Sequence, residues 1–171
     1  HFGSASGNKY LIGLRDRITN NKPVTGIYKV NQLGSDDMYF KGAAMIHTLR
    51  QVINNDEQFR GLLRGINKTF YHQTLTGQQL ENYITQQTSL DLKGFFEQYL
   101  RTKKVPAIQY KNKNGIFSYR YKNTVNGFTI PVRFFVDDKE VWLHPSKEWQ
   151  QLTLPSVDSK IRIDKNFYID F

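Results

Sequence analysis

The sequence contains no cysteine among its 171 residues. Disulfides, thiolate zinc sites and cysteine nucleophiles are therefore excluded together. No apolar run approaches the ~18 residues of a membrane span, so we expect no membrane-spanning segment. The N-terminal residues have neither the basic start nor the apolar stretch of a signal peptide. Many exported proteins also lack cysteine, so composition leaves the compartment open, and we favour an extracytoplasmic (periplasmic or secreted) location over a cytoplasmic one.

Several catalytic and cofactor-binding motifs are also missing. The chain has no HExxH, the pattern that places two imidazoles and a general base around one zinc ion. His47, His72 and His144 are isolated in the sequence, and we expect each to have a structural or surface role. There is no GxSxG nucleophile motif and no glycine-rich phosphate loop. The sequence therefore predicts no bound metal or cofactor in this chain.

Aromatic residues, by contrast, are abundant. They make up 14% of the chain, with ten Tyr and twelve Phe, and hydrophobic residues make up 39%. This composition predicts a globular fold with a sizeable core. The net charge of +9 would suit an anionic partner, but Lys and Arg are spread along the whole chain. We therefore expect a solvated basic surface and no nucleic-acid partner. The densest basic set consists of Arg101, Lys103, Lys104, Lys111 and Lys113.

The hydrophobic pattern changes near Pro106. Residues 1–7 are small and flexible in composition, which is typical of a tag or linker remnant. Residues 8–105 show helical spacing in five segments, interrupted by a predicted loop at 24–37. The five predicted helices cover 9–20, 38–53 and 56–70, a segment after a capping box formed by Thr76 and Gln79, and a segment beginning near 89–91.

Residues 106–171 alternate in short segments separated by turn residues, which predicts about seven β-strands. The fold class is therefore α+β: an N-terminal helical array followed by a small antiparallel β-sandwich. The expected strands cover 107–111, 116–121, 128–136, 140–143, 148–154, 160–163 and 167–171.

Tyr39 is the one residue that the motifs single out, because it lies at the start of the second predicted helix. One interpretation is structural, with the ring packed and the hydroxyl bonded to backbone. The other is catalytic, since a phenol at a helix start can donate a hydrogen bond to a developing oxyanion. The spacing of the residues leaves both open.

The residues around Tyr39 resemble a known family. The run Tyr39-Phe40-Lys41-Gly42, followed by an apolar helix, resembles the tyrosine helix of the gluzincin zinc aminopeptidases, the aminopeptidase N and leukotriene hydrolase family. Later motifs resemble the end of that family's catalytic domain in the same order, so the resemblance covers about residues 9–110. These motifs are Asp56-Glu57-Gln58-Phe59, the Thr76 cap, Leu90-Asp91-Leu92, Phe95 to Leu100, and Val105-Pro106.

The resemblance implies that the chain is the end of a thermolysin-like catalytic domain followed by the family's β-sandwich. In the family, zinc is held by HExxH and a Glu on the next helix, which would lie upstream of residue 1 in a longer polypeptide, called the intact enzyme below. That enzyme would hydrolyse peptides with zinc-activated water. Tyr39 would stabilise the oxyanion, Gly42 would allow close helix packing, and Lys41 would give local support.

On this interpretation the chain alone is inactive, and its exposed helical faces favour self-association. A second interpretation is a non-catalytic module that binds a protein or a glycan, and a third, nucleic-acid binding, rests on charge alone. Four aromatic residues could form the binding surface of such a module, or could instead pack in the core. These are Trp142, Trp149, Phe134 and Phe135.

Overall fold

The computed structural model describes residues 3–27, 30 and 34–171. Its first part is helical, as predicted. The first helix begins at Gly3, inside the segment 1–7 whose composition is typical of a linker. It ends at Gly13 and is followed directly by a 3-10 turn. The helical elements are α1 (Gly3–Gly13), the 3-10 turn (Leu14–Arg17), α2 (Asp37–Ile53), α3 (Asp56–Thr69), α4 (Gly77–Thr88) and α5 (Lys93–Arg101).

The loop predicted at 24–37 lies partly outside the described residues, as do residues 1 and 2. Its described positions up to Asp36 form neither helix nor strand. The predicted capping box of α4 is confirmed: the Gln79 amide donates to Thr76 Oγ1 at 3.3 Å, and the Thr76 amide donates to Gln79 Oε1 at 2.8 Å. None of the described helices is long and apolar enough to cross a membrane, as expected.

Two three-stranded antiparallel sheets follow the helices, so the predicted α+β class is confirmed. The strand orders are β1-β2-β5 and β4-β3-β6. Two short turns join adjacent strands through residues with positive φ: Asn114-Gly115, and Asp137-Asp138. The strands are β1 (Ala107–Lys113), β2 (Ile116–Lys122), β3 (Val132–Val136), β4 (Lys139–Leu143), β5 (Gln150–Thr153) and β6 (Ile161–Ile163).

Two strand predictions differ from the structure. The strand expected over 128–136 begins only at Val132, because Pro131 has no amide hydrogen for a sheet ladder. The strand expected over 167–171 is irregular and makes one parallel bridge, between Ala107 and Asp170. Three consecutive residues there, from Phe167 to Ile169, are buried, so the segment does not alternate between a core face and a solvent face.

One hydrophobic core joins the helices to the sheets. Tyr99 on α5 is fully buried, its hydroxyl donates to the Tyr168 carbonyl at 2.7 Å, and its ring lies 6.0 Å from that of Phe128. Between the two sheets, the rings of Phe117 and Phe134 lie 5.7 Å apart. The boundary near Pro106 stays a prediction, but the segments on its two sides pack together.

Candidate functional site

Tyr39 lies in the first turn of α2 and is 68% exposed. Within the described part of the chain, no hydrogen bond to its hydroxyl is found. The described residues thus show neither the packed ring nor the bonded hydroxyl of the structural interpretation, and the catalytic role stays a prediction. Tyr39 presents its phenol to the outside.

The outward position of Tyr39 follows from its neighbours on α2. Asp37 and Lys41 are buried, at 1% and 0% exposure. They are four residues apart and so share one helix face, whereas a residue two positions from each lies on a different face. Burial of Asp37 and Lys41 thus turns Tyr39 outward.

Asp37 ties the start of α2 to the preceding turn. Its carboxylate accepts hydrogen bonds from the Thr19 amide at 2.9 Å, the Thr19 hydroxyl at 3.2 Å and the Asn20 amide at 2.7 Å. Asp36 occupies the N-cap position, but its side chain makes no capping hydrogen bond. The Ser35 hydroxyl instead accepts from the Asp37 amide at 3.2 Å. Neither Asp36 nor Asp37, therefore, caps the helix with its side chain.

Lys41 links the start of α2 to the end of α5. Its Nζ donates to the Thr102 carbonyl at 2.9 Å, at the C-terminal cap of α5. A cation is favourable there because the helix dipole places negative charge at that end. Burial lowers the pKa of Lys41, and the nearby Asp37 carboxylate opposes that shift. Lys41 thus gives the local support that was expected.

The face of α2 that carries Tyr39 continues with Gly42, Ala43 and Ile46, at spacings of three, four and seven residues. A Cβ added at Gly42 would meet no atom within 4 Å. Among the described residues nothing packs closely against Gly42, so the expected close packing at this position stays a prediction for the intact enzyme. Beside it is a cavity of about 340 Å³, lined by Leu11, Gly42, Ala43, Ile46, His47, Arg50 and Phe59.

A larger groove of about 660 Å³ runs along the other flank of α2, between α2, α4 and α5. Its rim carries an ion pair in which Arg101 Nη2 lies 2.6 Å from Glu81 Oε1. The two openings leave α2 accessible on both flanks of Ile46. The apolar lining of the groove consists of Met45, Ile46, Leu80, Ile84, Phe96 and Leu100.

The three histidines among the described residues occupy structural and surface positions, as expected. His47 is 3% exposed, with Nε2 3.3 Å from Asn166 Oδ1, and burial lowers its pKa. His72 and His144 are exposed. Among the described residues, no group of three or more His, Cys, Asp or Glu side chains could hold a metal ion.

The four aromatic residues considered for a binding surface do not form one. Phe134 is buried in the core, as its alternation predicted. Phe135 is half-buried beneath the Arg162 guanidinium, 4.0 Å from the ring centre, and Trp142 packs edge-on against Phe167. Trp149 alone of the four is exposed, on the outer side of the β1-β2-β5 sheet.

No protein-family model and no curated protein matches the chain. Among solved structures, 58 chains match. One is a crystal structure of Legionella pneumophila aminopeptidase A in complex with aspartic acid, with a TM-score of 0.58 and 14% sequence identity. The match covers 94% of this chain and 21% of that chain. At this identity the likeness shows the fold alone, so the chain shares its fold with about a fifth of an aminopeptidase.

Proposed function

We propose that this chain is the downstream part of a gluzincin zinc aminopeptidase and that it contributes Tyr39 to peptide hydrolysis. One observation carries the proposal: the Tyr39 phenol is presented outward from a helix start whose buried Asp37 and Lys41 fix its direction. The fold shared with an aminopeptidase supports it. The phenol would donate a hydrogen bond to the carbonyl oxygen of the scissile peptide as negative charge develops there.

The described residues do not fit a zinc site, because no cluster of suitable side chains exists among them. We therefore assign the metal ligands, the general base and the group that binds the substrate amine to sequence upstream of this chain. The contribution of this chain is limited to holding one hydrogen-bond donor in place. Fixed donors of this kind stabilise the transition state without reorganising during the reaction.

The exposed faces of α2 agree with an active site that is shared between this chain and upstream sequence. Tyr39 lies at one end of a face of α2 that continues through Gly42 and Ala43. A Cβ added at Gly42 would have free space around it. Small residues on a helix face let another element approach closely. On our proposal the upstream part of the intact enzyme covers this face, which places Tyr39 at the edge of the cleft between the two parts.

The isolated chain tests this assignment. Because its described residues form no ligand set for zinc, we expect no hydrolysis of aminoacyl-anilides by the purified chain, with or without added zinc. The matched control is the Tyr39→Phe chain, whose background should be the same. Turnover that depends on zinc, is abolished by a chelator and differs between the two chains would contradict the proposal.

A further inference from the structure

The outer side of the β1-β2-β5 sheet carries several cationic side chains. On β2 the side chains of Phe117, Tyr119 and Tyr121 are buried, so the alternate residues point away from the core. Arg120 on β2 pairs with Gln109 on β1. The outward positions thus form one continuous face of three strands.

This face is strongly basic. The three strands contain no acidic residue, and four outward positions are cationic. Within the described part of the chain, none of the four takes part in an ion pair, although seven such pairs form elsewhere. We call these four residues the basic sheet face: Lys111, Lys113, Arg120 and Lys122.

Trp149 holds two of these cations together. It precedes β5 and is 36% exposed. Lys111 Nζ lies 4.7 Å and Arg120 Cζ 4.5 Å from its ring centre, and Arg120 Nε also donates to Gln109 Oε1 at 2.9 Å. Two like charges against one ring repel each other, and cation–π attraction offsets that repulsion. Lys111 and Arg120 are thus held close together against one exposed ring.

We propose that the basic sheet face binds a sulfated polysaccharide. The Arg120 fork and the Lys111 ammonium match sulfate oxygens, and the uncharged side chains among them, Gln109 and Ser118, can donate to and accept from sugar hydroxyls. A nucleic acid would stack its bases on an exposed aromatic ring, but two cations already lie against the ring of Trp149. The inference is independent of the aminopeptidase origin.

Titration calorimetry with a heparin-type dodecasaccharide tests the proposal on the whole chain. Lys111→Gln combined with Arg120→Gln should weaken binding about 10- to 100-fold, because each lost charge-assisted contact accounts for a factor of about 3 to 10. Trp149→Ala leaves the net charge unchanged and should weaken binding about tenfold, since the two cations lose their common support. The unsulfated oligosaccharide should not bind measurably.

The matched control is Arg64→Gln combined with Lys68→Gln, which removes the same charge from exposed positions on α3. We expect less than a twofold change in affinity for that variant. Circular dichroism and thermal unfolding establish that all variants are folded. Equal losses in the test and control pairs would overturn the proposal, because binding would then follow overall charge. Tighter binding of a single-stranded oligonucleotide through the same residues would also overturn it and assign the face to nucleic acid.

Discussion

In the intact enzyme, Tyr39→Phe is expected to lower kcat by roughly two to four orders of magnitude. The substitution removes one hydroxyl and keeps the ring, so the loss reports the hydrogen bond to the oxyanion. KM should change little, since the bond strengthens only as charge develops on the carbonyl oxygen. Steady-state hydrolysis of an aminoacyl-anilide separates the two constants.

Tyr71→Phe is the control for this experiment, because Tyr71 is also exposed, at 72% against 68% for Tyr39. It should leave kcat unchanged. Because the Tyr39 side chain is largely exposed, we also expect the free energy of unfolding of the chain to be the same with Tyr or Phe at this position. An intact Tyr39→Phe enzyme with normal turnover would remove Tyr39 from the catalytic site.

The second large effect concerns packing between α5 and the segment before β3. A Cβ at Gly94 would overlap the backbone carbonyl of Gly127 and lie 2.6 Å from the amide nitrogen of Phe128. Backbone atoms cannot move aside as a flexible side chain can. We therefore expect Gly94→Ala to destabilise the chain by about 3 kcal/mol, measured as a lower midpoint of urea unfolding with an unchanged slope.

Gly42→Ala is the matched control, because Gly42 is also helical but has free space around its Cα. In the isolated chain it should stabilise α2 by up to about 1 kcal/mol, since alanine favours a helix more than glycine does. In the intact enzyme, where we propose that this face is covered, the same substitution should not stabilise. Equal effects of the two substitutions on the chain would contradict this account of both glycines.

The sequence was sufficient for the order of helices and strands, because the amphipathic spacing of residues such as Leu80 and Ile84, and the Thr76 cap, are local signals. The sequence was insufficient where tertiary contacts determine the length of a strand or the burial of a segment. Pro131 shortens a strand that alternation alone predicts, and the last segment is buried without alternation between Phe167 and Ile169. A free Gly42 could not be distinguished from a packed one without neighbouring elements.

The candidate site was predictable only as a position. The motif predicted Tyr39 as a candidate. Its exposure, however, depends on tertiary contacts: Asp37 binds Thr19 and Asn20, and Lys41 binds Thr102. The Lys41 contact joins residues 61 positions apart. Likewise, the residues of the basic sheet face come from two strands, so they are separated in the sequence and a count of charges along the chain does not group them. Contacts of this kind exist only in the folded chain.

The most direct test of the central claim is the sequence of the gene upstream of the codon for residue 1. We expect the open reading frame to continue upstream and to encode HExxH, followed by a Glu on the next helix, ending shortly before Lys9. A reading frame that starts at this chain, or that continues upstream without such a motif, would contradict the claim that this chain belongs to a zinc aminopeptidase.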